Sequence, residues 1–239
     1  MFYHALTGNG GTEDLSPVLL WENSNPTAEF AAQTISLDLT DYVGVIIEFF
    51  KSAAENNLLT RIYVKKTDTA QFGGGFRIDA NSTIGASGRN VTINDSGVEF
   101  TDGAAGWSVT SVTTLNTDMI PYRIYGVKAY VVSPAVGDLL WTNPAPSANF
   151  GAQKISIDLT NAKGVIIECM ISYNTQLPNT RVLIYKGESP FGIGYSAGTT
   201  ATSRNVTAVE NDGVTFATGY TGASEDAGAL IPYKIYAIN

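Results

Sequence analysis

Hydrophobic and polar residues alternate along many short stretches of this chain. In the segment TISLDL (34–39), Ile35, Leu37 and Leu39 alternate with polar residues, and ISIDL (155–159) follows the same pattern. A period of two is typical of a strand with one buried face. No window of a dozen residues carries the 3.6-residue period of an amphipathic helix. The pattern therefore predicts an all-β fold.

One long segment occurs twice. Residues 19–48 align with residues 139–168 without a gap, and 19 of the 30 aligned positions are identical. Shorter blocks match further along: GRNVT (88–92) with SRNVT (203–207), DSGVEF (95–100) with NDGVTF (211–216), and IPYRIYGV (120–127) with IPYKIYAI (231–238). Each copy is about 100–110 residues long, which is a normal domain size.

The repeat predicts two tandem domains related by internal duplication. Short strands at close spacing, separated by glycine-rich turns, favour a jelly-roll-like antiparallel β-sandwich in each copy, with about eight or nine strands. We divide the chain into an N-terminal tail (1–17), repeat 1 (18–128), a linker (129–138) and repeat 2 (139–239). Trp21 and Trp141 occupy equivalent positions, and we expect each to close one end of a core rather than to stack on a ligand.

Composition narrows the possible functions. The chain has 22 acidic against 14 basic residues and a formal charge of −8, which argues against nucleic acid binding. No apolar stretch is long enough to span a membrane. The start lacks the features of a signal peptide, so we expect that a protein leaving the cell does so without a Sec signal. With one cysteine (Cys169) and one histidine (His4), the chain cannot build a His/Cys zinc site, and we expect neither metal nor cofactor. The glycine-rich FGGGF (72–76) lacks the lysine of a phosphate loop and predicts a turn or bulge.

Two carboxylates stand in otherwise apolar strands, Glu48 and Glu168. If residues 43–50 and 60–66 form a hairpin, Glu48 lies near Arg61, and Glu168 correspondingly lies near Arg181. A buried carboxylate needs such a partner, so we predict two structural ion pairs. The alternative is a pair of catalytic carboxylates in a carbohydrate-active enzyme. We favour a protein that is not an enzyme and assign no catalytic residue.

Tyrosine and basic residues share one side of several predicted strands. If these strands are neighbours, each domain presents a surface that suits sugars or a protein partner. The alternative is an ordinary solvent-facing sheet, where tyrosine is common. The predicted ligand-binding residues are Arg61, Tyr63, Arg123, Tyr125, Arg181, Tyr185 and Tyr236.

The repeated motif resembles a module of small structural proteins from phages and prophages of gut Firmicutes. The resemblance rests on LLWxNxxPxxxFxAQxISxDLT, GVIIE and the closing IPYRIYGVK, and covers nearly all of residues 19–239. In that family the module occurs in tail-fibre or appendage proteins. The resemblance implies a virion component, made in the bacterial cytoplasm, that binds a host-surface glycan or another virion protein. It is expected to assemble as a homo-oligomer, with a trimer favoured. A capsid or tail decoration protein without a ligand is the remaining alternative.

Overall fold

The strands of the chain follow one another without a helix in the part that the structure describes. The computed structural model describes residues 17–52, 55–68, 72–76, 86–108, 111–128, 138–170, 180–188, 191–197, 200–221 and 224–238. The predicted tail, up to residue 16, and the predicted linker, from 129 to 137, lie outside these ranges, as does His4. The all-β prediction is confirmed, and every strand pair found in the described residues is antiparallel.

Ten strands are described in each repeat. In repeat 1 they are β1 (Val18–Glu22), β2 (Gln33–Ser36), β3 (Tyr42–Ser52), β4 (Glu55–Lys65), β5 (Phe72–Phe76), β6 (Ala86–Asn94), β7 (Gly97–Phe100), β8 (Ala104–Ser108), β9 (Ser111–Thr114) and β10 (Asp118–Lys128). In repeat 2 they are β11 (Leu139–Thr142), β12 (Gln153–Ser156), β13 (Gly164–Met170), β14 (Thr180–Tyr185), β15 (Phe191–Ala197), β16 (Thr200–Glu210), β17 (Gly213–Phe216), β18 (Tyr220–Thr221), β19 (Ser224–Glu225) and β20 (Ile231–Ile238). The glycine-rich segment predicted as a turn or bulge is strand β5, which pairs with β6.

One sheet runs through both repeats. Its eight strands have the order β1-β10-β3-β4-β14-β13-β20-β11. The repeats meet at its centre, where Ile62 of β4 pairs with Val182 of β14. Outward from that pair, repeat 1 contributes β4, β3, β10 and β1, and repeat 2 contributes β14, β13, β20 and β11. The two strand orders are therefore equivalent, and the repeats share a sheet rather than forming two unconnected sandwiches.

Each repeat adds a six-stranded sheet of its own. In repeat 1 the order is β2-β7-β6-β8-β9, with β5 also paired to β6; in repeat 2 it is β12-β17-β16-β18-β19, with β15 also paired to β16. The predicted tight hairpins are present, because Asn94 pairs with Gly97 and Glu210 pairs with Gly213. The six-stranded sheets also touch, since β15 lies against β5 and β6.

The hydrophobic core lies between the eight-stranded sheet and the six-stranded sheets. From β3 it takes Val45, Ile47 and Phe49, and from β7 it takes Val98 and Phe100, all at most 1% exposed. Burying each such side chain contributes roughly 1.5–3 kcal/mol. Equivalent residues of repeat 2 belong to the same cluster, so the core is continuous between the repeats. This arrangement is a β-sandwich.

The dense apolar run VGVIIEFF (43–50) belongs to β3. It is largely apolar because the opposite face of the eight-stranded sheet, here called the outer face, is also covered. Ile46 points to that face between Val45 and Ile47, and it packs with Tyr63, Tyr125 and other buried side chains in a second cluster. A strand buried on both faces reads as a continuous apolar run, not as an alternation. The sequence of β3 is therefore that of a central strand with both faces covered.

Candidate functional site

Two ion pairs lie on the outer face, one in each repeat. Glu48 of β3 stands directly opposite Arg61 of β4, and Arg61 Nε donates to Glu48 Oε1 at 2.9 Å. In repeat 2, Arg181 Nε donates to Glu168 Oε1 at 2.6 Å. All four residues are buried. The predicted ion pairs are confirmed, because antiparallel register places residues 13 apart opposite each other in both hairpins.

Each arginine also binds a carboxylate of the other repeat, which the sequence did not indicate. Arg61 Nη1 and Nη2 donate to the two carboxylate oxygens of Glu188 at 3.1 and 3.2 Å. Arg181 Nη1 and Nη2 donate to those of Asp68 at 2.7 and 3.2 Å. Such bidentate pairs are the strong form of the arginine–carboxylate contact. We call the resulting group the arginine cluster: Glu48, Arg61, Asp68, Glu168, Arg181 and Glu188.

The arginine cluster is organised around a local two-fold axis. Asp68 and Glu188 are 120 positions apart, as are Arg61 and Arg181. When equivalent strands pair antiparallel at equivalent residues, each contact occurs twice with the roles of the two copies exchanged. The cross-repeat contacts of the arginine cluster follow this rule, so they belong to the junction between β4 and β14.

Tyrosines complete the polar contacts on this face. The hydroxyl of Tyr125 donates to Glu48 Oε2, and that of Tyr236 donates to Glu168 Oε2, both at 3.4 Å. The Arg61 guanidinium lies 5.2 Å from the ring centroid of Tyr185. Burial, followed by the charge of Glu168, raises the pKa of Tyr236 to about 12. Burial alone would lower the pKa of Arg61, but the contacts with Glu188 and Glu48 outweigh it and raise that pKa.

The prediction that the tyrosine and arginine side chains form an exposed face is wrong for four of the seven residues. Arg61, Tyr63, Tyr125 and Arg181 are only 4–8% exposed, with values of 5%, 4%, 8% and 6%. The other three, Arg123, Tyr185 and Tyr236, are half-buried. Alternation shows which side chains share a face, but it cannot show whether that face is covered. These seven residues therefore do not form one open ligand-binding surface.

Arg123 belongs to a separate group near the edge of the sheet. Its Nε donates to Glu22 Oε2 at 3.1 Å, and its guanidinium lies 4.3 Å from the ring centroid of Tyr122. The Tyr122 ring also stacks on Phe50, with centroids 4.2 Å apart. The Tyr122 ring thus already contacts an arginine and a phenylalanine side chain of this chain.

Two further arginines are fully buried, and sequence reasoning missed them. Arg89 and Arg204 are 0% exposed and pair with backbone carbonyls rather than with carboxylates. Arg89 donates to the carbonyl oxygens of Met119 (2.9 Å), Thr101 and Asp118 (3.3 Å). Their signal in the sequence is the arginine before Asn-Val-Thr in both repeats, in GRNVT and SRNVT.

The carbonyls that receive these arginines come from an unusual backbone conformation. Met119 and Leu230 have φ of 50° and 44°, in the left-handed region that residues with a side chain rarely adopt. Arg204 Nε donates to the Leu230 carbonyl at 2.8 Å, as Arg89 does to that of Met119. Burial lowers the pKa of Arg89 and of Arg204 to about 10. Equivalent strain in both repeats indicates that the buried guanidinium organises this corner of each sandwich.

Few described groups have the environment of a catalytic or metal-binding residue. Cys169 is buried among apolar side chains, and burial raises the pKa of its thiol to about 12. Within the described ranges, no group of three or more His, Cys, Asp or Glu residues could hold a metal ion, and no helix could cross a membrane. Glu48 and Glu168, the candidate catalytic carboxylates, are both held by arginine and tyrosine.

Comparison of the chain with protein-family models, with curated proteins and with solved structures finds no match.

Proposed function

We propose that this chain is a non-enzymatic structural protein of a phage or prophage virion, tail or appendage associated, that binds a host-surface glycan or another virion protein. The virion assignment rests on the resemblance of the repeated motif. The observation that supports a structural rather than a catalytic role is the arginine cluster. It contains four arginine–carboxylate contacts. Two lie within the repeats, Arg61 with Glu48 and Arg181 with Glu168, and two join the repeats, Arg61 with Glu188 and Arg181 with Asp68.

Charges used in this way are poorly suited to catalysis. A general acid or nucleophile must reach a substrate, whereas Glu48 is 6% and Glu168 7% exposed. Each accepts hydrogen bonds from an arginine and a tyrosine, which fix the position of the carboxylate. The carbohydrate-active enzyme alternative therefore needs a carboxylate pair elsewhere in the chain.

A ligand has better access to two equivalent loops, here called the paired loops, residues 23–32 and 143–152. Each begins at an asparagine whose side-chain amide donates to a backbone carbonyl: Asn23 to Pro121 at 3.0 Å and Asn143 to Pro232 at 2.9 Å. Each is anchored near its end by a buried phenylalanine, Phe30 or Phe150. Loops fixed on a rigid β scaffold are frequent binding sites.

The paired loops expose hydrogen-bonding side chains between these anchors. The exposed ones include Asn25, Thr27, Ser147 and Asn149. Neutral amides and hydroxyls of this kind pair with the hydroxyl groups of sugars without the desolvation cost of a buried charge. We therefore place the glycan contact on the paired loops rather than on the buried part of the outer face.

Binding to host cells and to a glycan array tests the recognition part of the proposal. We expect the parent chain to bind, and a variant with Asn25, Thr27, Ser147 and Asn149 all changed to alanine to lose binding while keeping its circular dichroism spectrum. The matched control changes two exposed residues of the six-stranded sheets, Glu99 and Thr207, to alanine. This variant should bind like the parent.

Three results would contradict parts of this proposal. If the loop variant binds like the parent, the paired loops are not the site. If the parent binds neither cells nor glycans, the decoration-protein alternative replaces recognition. If the parent degrades capsule polysaccharide, the enzyme alternative replaces both.

Particle composition tests the virion assignment separately. Phage particles induced from a lysogen that encodes the chain should carry it, detected by mass spectrometry of purified particles and by gold-labelled antibody in electron micrographs. Particles from a deletion strain provide the control. Complete absence of the chain from purified wild-type particles would exclude a virion protein, whatever its ligand.

A further inference from the structure

Exposed apolar side chains are concentrated at the two edges of the eight-stranded sheet. Among the described residues, the exposed large hydrophobic side chains are Val18 (41%), Leu19 (47%) and Leu139 (50%). Val18 and Leu19 lie on β1 and Leu139 lies on β11, the outermost strands of that sheet. Single exposed apolar side chains are common on protein surfaces, but here all three of these side chains lie at sheet edges.

The two edges are equivalent. Leu19 and Leu139 are 120 positions apart, and each pairs with a tyrosine of the neighbouring strand, Tyr125 or Tyr236. Within the described part of the chain, β1 pairs only with β10 and β11 only with β20. One side of each edge strand therefore has backbone groups that pair with no other strand of the described ranges, beside an exposed leucine.

These edges lack most of the devices that prevent pairing between chains. Proteins protect edge strands with lysine, proline or inward charges. Val18–Glu22 and Leu139–Thr142 contain a single charged residue, Glu22, which Arg123 binds. One protective device is present, because the register shifts after Leu19 and after Leu139. The irregularity leaves only the first residues of each strand free to pair regularly.

We propose that the β1 and β11 edges bind a second copy of this chain, so that the eight-stranded sheet continues from one molecule to the next. The leucine at the start of each edge would pack against its counterpart on the neighbouring copy, and the free backbone groups would form antiparallel hydrogen bonds. This inference does not depend on the virion assignment or on glycan binding.

The structure favours a second copy over an unrelated partner for two reasons. First, both edges are apolar, so the Leu19 edge of one copy can pack against the Leu139 edge of the next. Second, the chain already contains such a contact: β4 and β14 are equivalent strands that pair antiparallel at Ile62 and Val182. The proposed contact repeats, between molecules, the kind of pairing that joins the repeats within one.

Two equivalent edges on one molecule have a consequence for assembly. Each copy can contact two others, which produces a closed ring or an open filament rather than a dimer alone. Because the edge strands are short and irregular, a single contact is weak, and closure of a ring stabilises the assembly by raising the effective concentration of the last contact. A trimer corresponds to a ring closed after three copies.

The mass of the full-length chain in solution tests this proposal. Sedimentation velocity over a range of concentrations should show assemblies larger than a dimer for the parent. Leu19→Lys or Leu139→Lys alone blocks one edge and should stop assembly at dimers formed through the other edge. The two changes together should give monomers, because a lysine on every edge then repels the lysine on the edge of the neighbouring copy.

Two controls separate loss of the contact from loss of the fold. Gln33→Lys with Gln153→Lys adds the same charge at two exposed positions that are also 120 apart and lie outside the paired loops, and it should assemble like the parent. Leu19→Ser with Leu139→Ser removes the apolar contact without adding charge and should raise the dissociation constant at an unchanged melting temperature. A monomeric parent, or a double lysine variant of parental mass, would overturn the proposal.

Discussion

Ile62 and Val182 face each other at the centre of the eight-stranded sheet, although they are 120 positions apart in the chain. They are equivalent residues of the two repeats. A residue can pair antiparallel with its own counterpart only at a local two-fold axis. The junction between the repeats is therefore built like the interface of a symmetric dimer, with both halves in one chain.

This junction explains why Arg61 and Arg181 each have two acidic partners. Arg61 binds Glu48 within repeat 1 and Glu188 across the axis, while Arg181 binds Glu168 and Asp68 in the same way. A buried guanidinium needs several acceptors to compensate its lost hydration. The two-fold axis supplies the second acceptor from the other repeat, so that burial of the charge and docking of the repeats depend on each other.

Removal of Arg61 should cost more than removal of the whole pair. Arg61→Met leaves the Glu48 carboxylate buried without its cation, and we expect a loss of about 3–5 kcal/mol in the free energy of unfolding. Adding Glu48→Leu should recover part of that loss. Urea unfolding of the four proteins in this double-mutant cycle measures the coupling.

The more exposed pair of Glu22 with Arg123 provides the control for this cycle. Its side chains are 43% and 32% exposed, and the coupling there should be much smaller than at the buried pair, because solvent screens the two charges. If the two single substitutions have additive effects at both pairs, the coupling is absent, and the Arg61–Glu48 contact is no more important than a surface ion pair.

The buried arginines that bind carbonyls should be as important as those that bind carboxylates. Arg89→Met removes the donor of three carbonyl groups, of which those of Met119 and Asp118 are buried, and each unpaired buried group costs about 1–3 kcal/mol. Arg89→Lys should recover little, because one ammonium cannot match the planar guanidinium. Thermal unfolding of these variants and of Arg204→Met measures the effect, with Arg123→Met as the half-exposed control. A melting temperature of Arg89→Met equal to that of Arg123→Met would contradict this prediction.

Tyr63→Phe should leave stability unchanged or raise it by about 1 kcal/mol. The Tyr63 hydroxyl is buried and has no hydrogen-bond partner among the described residues, so its removal abolishes a desolvation cost. The equivalent position in repeat 2 is Leu183, which has no hydroxyl. The control is Tyr125→Phe, which removes a hydroxyl that contacts Glu48 and should be destabilising. Chemical unfolding compares both variants, and a clear loss in Tyr63→Phe would reveal a partner for its hydroxyl.

Stability should fall in alkali, through the tyrosines of the outer face. Burial raises the pKa of Tyr236 from its ordinary value of 10.0 to about 12, and it also raises those of Tyr125 and Tyr185. Between these pH values the folded chain keeps protons that the unfolded chain loses, so stability is fully present below about pH 10 and decreases as pH rises toward 12. Urea midpoints measured against pH test this expectation.

Tyr236→Phe identifies the contribution of this one hydroxyl. The variant should show a shallower decrease of the urea midpoint between pH 10 and 12 than the parent, since one tyrosine fewer releases a proton on unfolding. Spectrophotometric titration of tyrosinate in the folded parent provides a second readout. A midpoint that stays constant across this range in the parent would contradict the raised pKa values.

Local sequence patterns predicted much of the structure. Alternation identified the strands, and the 120-residue repeat identified the recurring unit. The predicted hairpin of residues 43–50 and 60–66 forms, and with it the contact of Glu48 with Arg61. These features depend on partners close in sequence, where register follows from the alternation of side chains and from the turn.

Contacts between distant segments could not be predicted from local patterns, because they depend on how the sheets pack. Nothing in β4 or β14 marks them as the strands that meet, so the pairing of Ile62 with Val182 and the partners Asp68 and Glu188 could not be read from their own segments. Arg89 looks like a surface residue of an alternating strand, yet it is fully buried because backbone carbonyls from β10 surround it. Alternation specifies which side chains share a face. Whether that face meets water, another strand or a carbonyl depends on which sheets pack together, and that is a property of the whole chain.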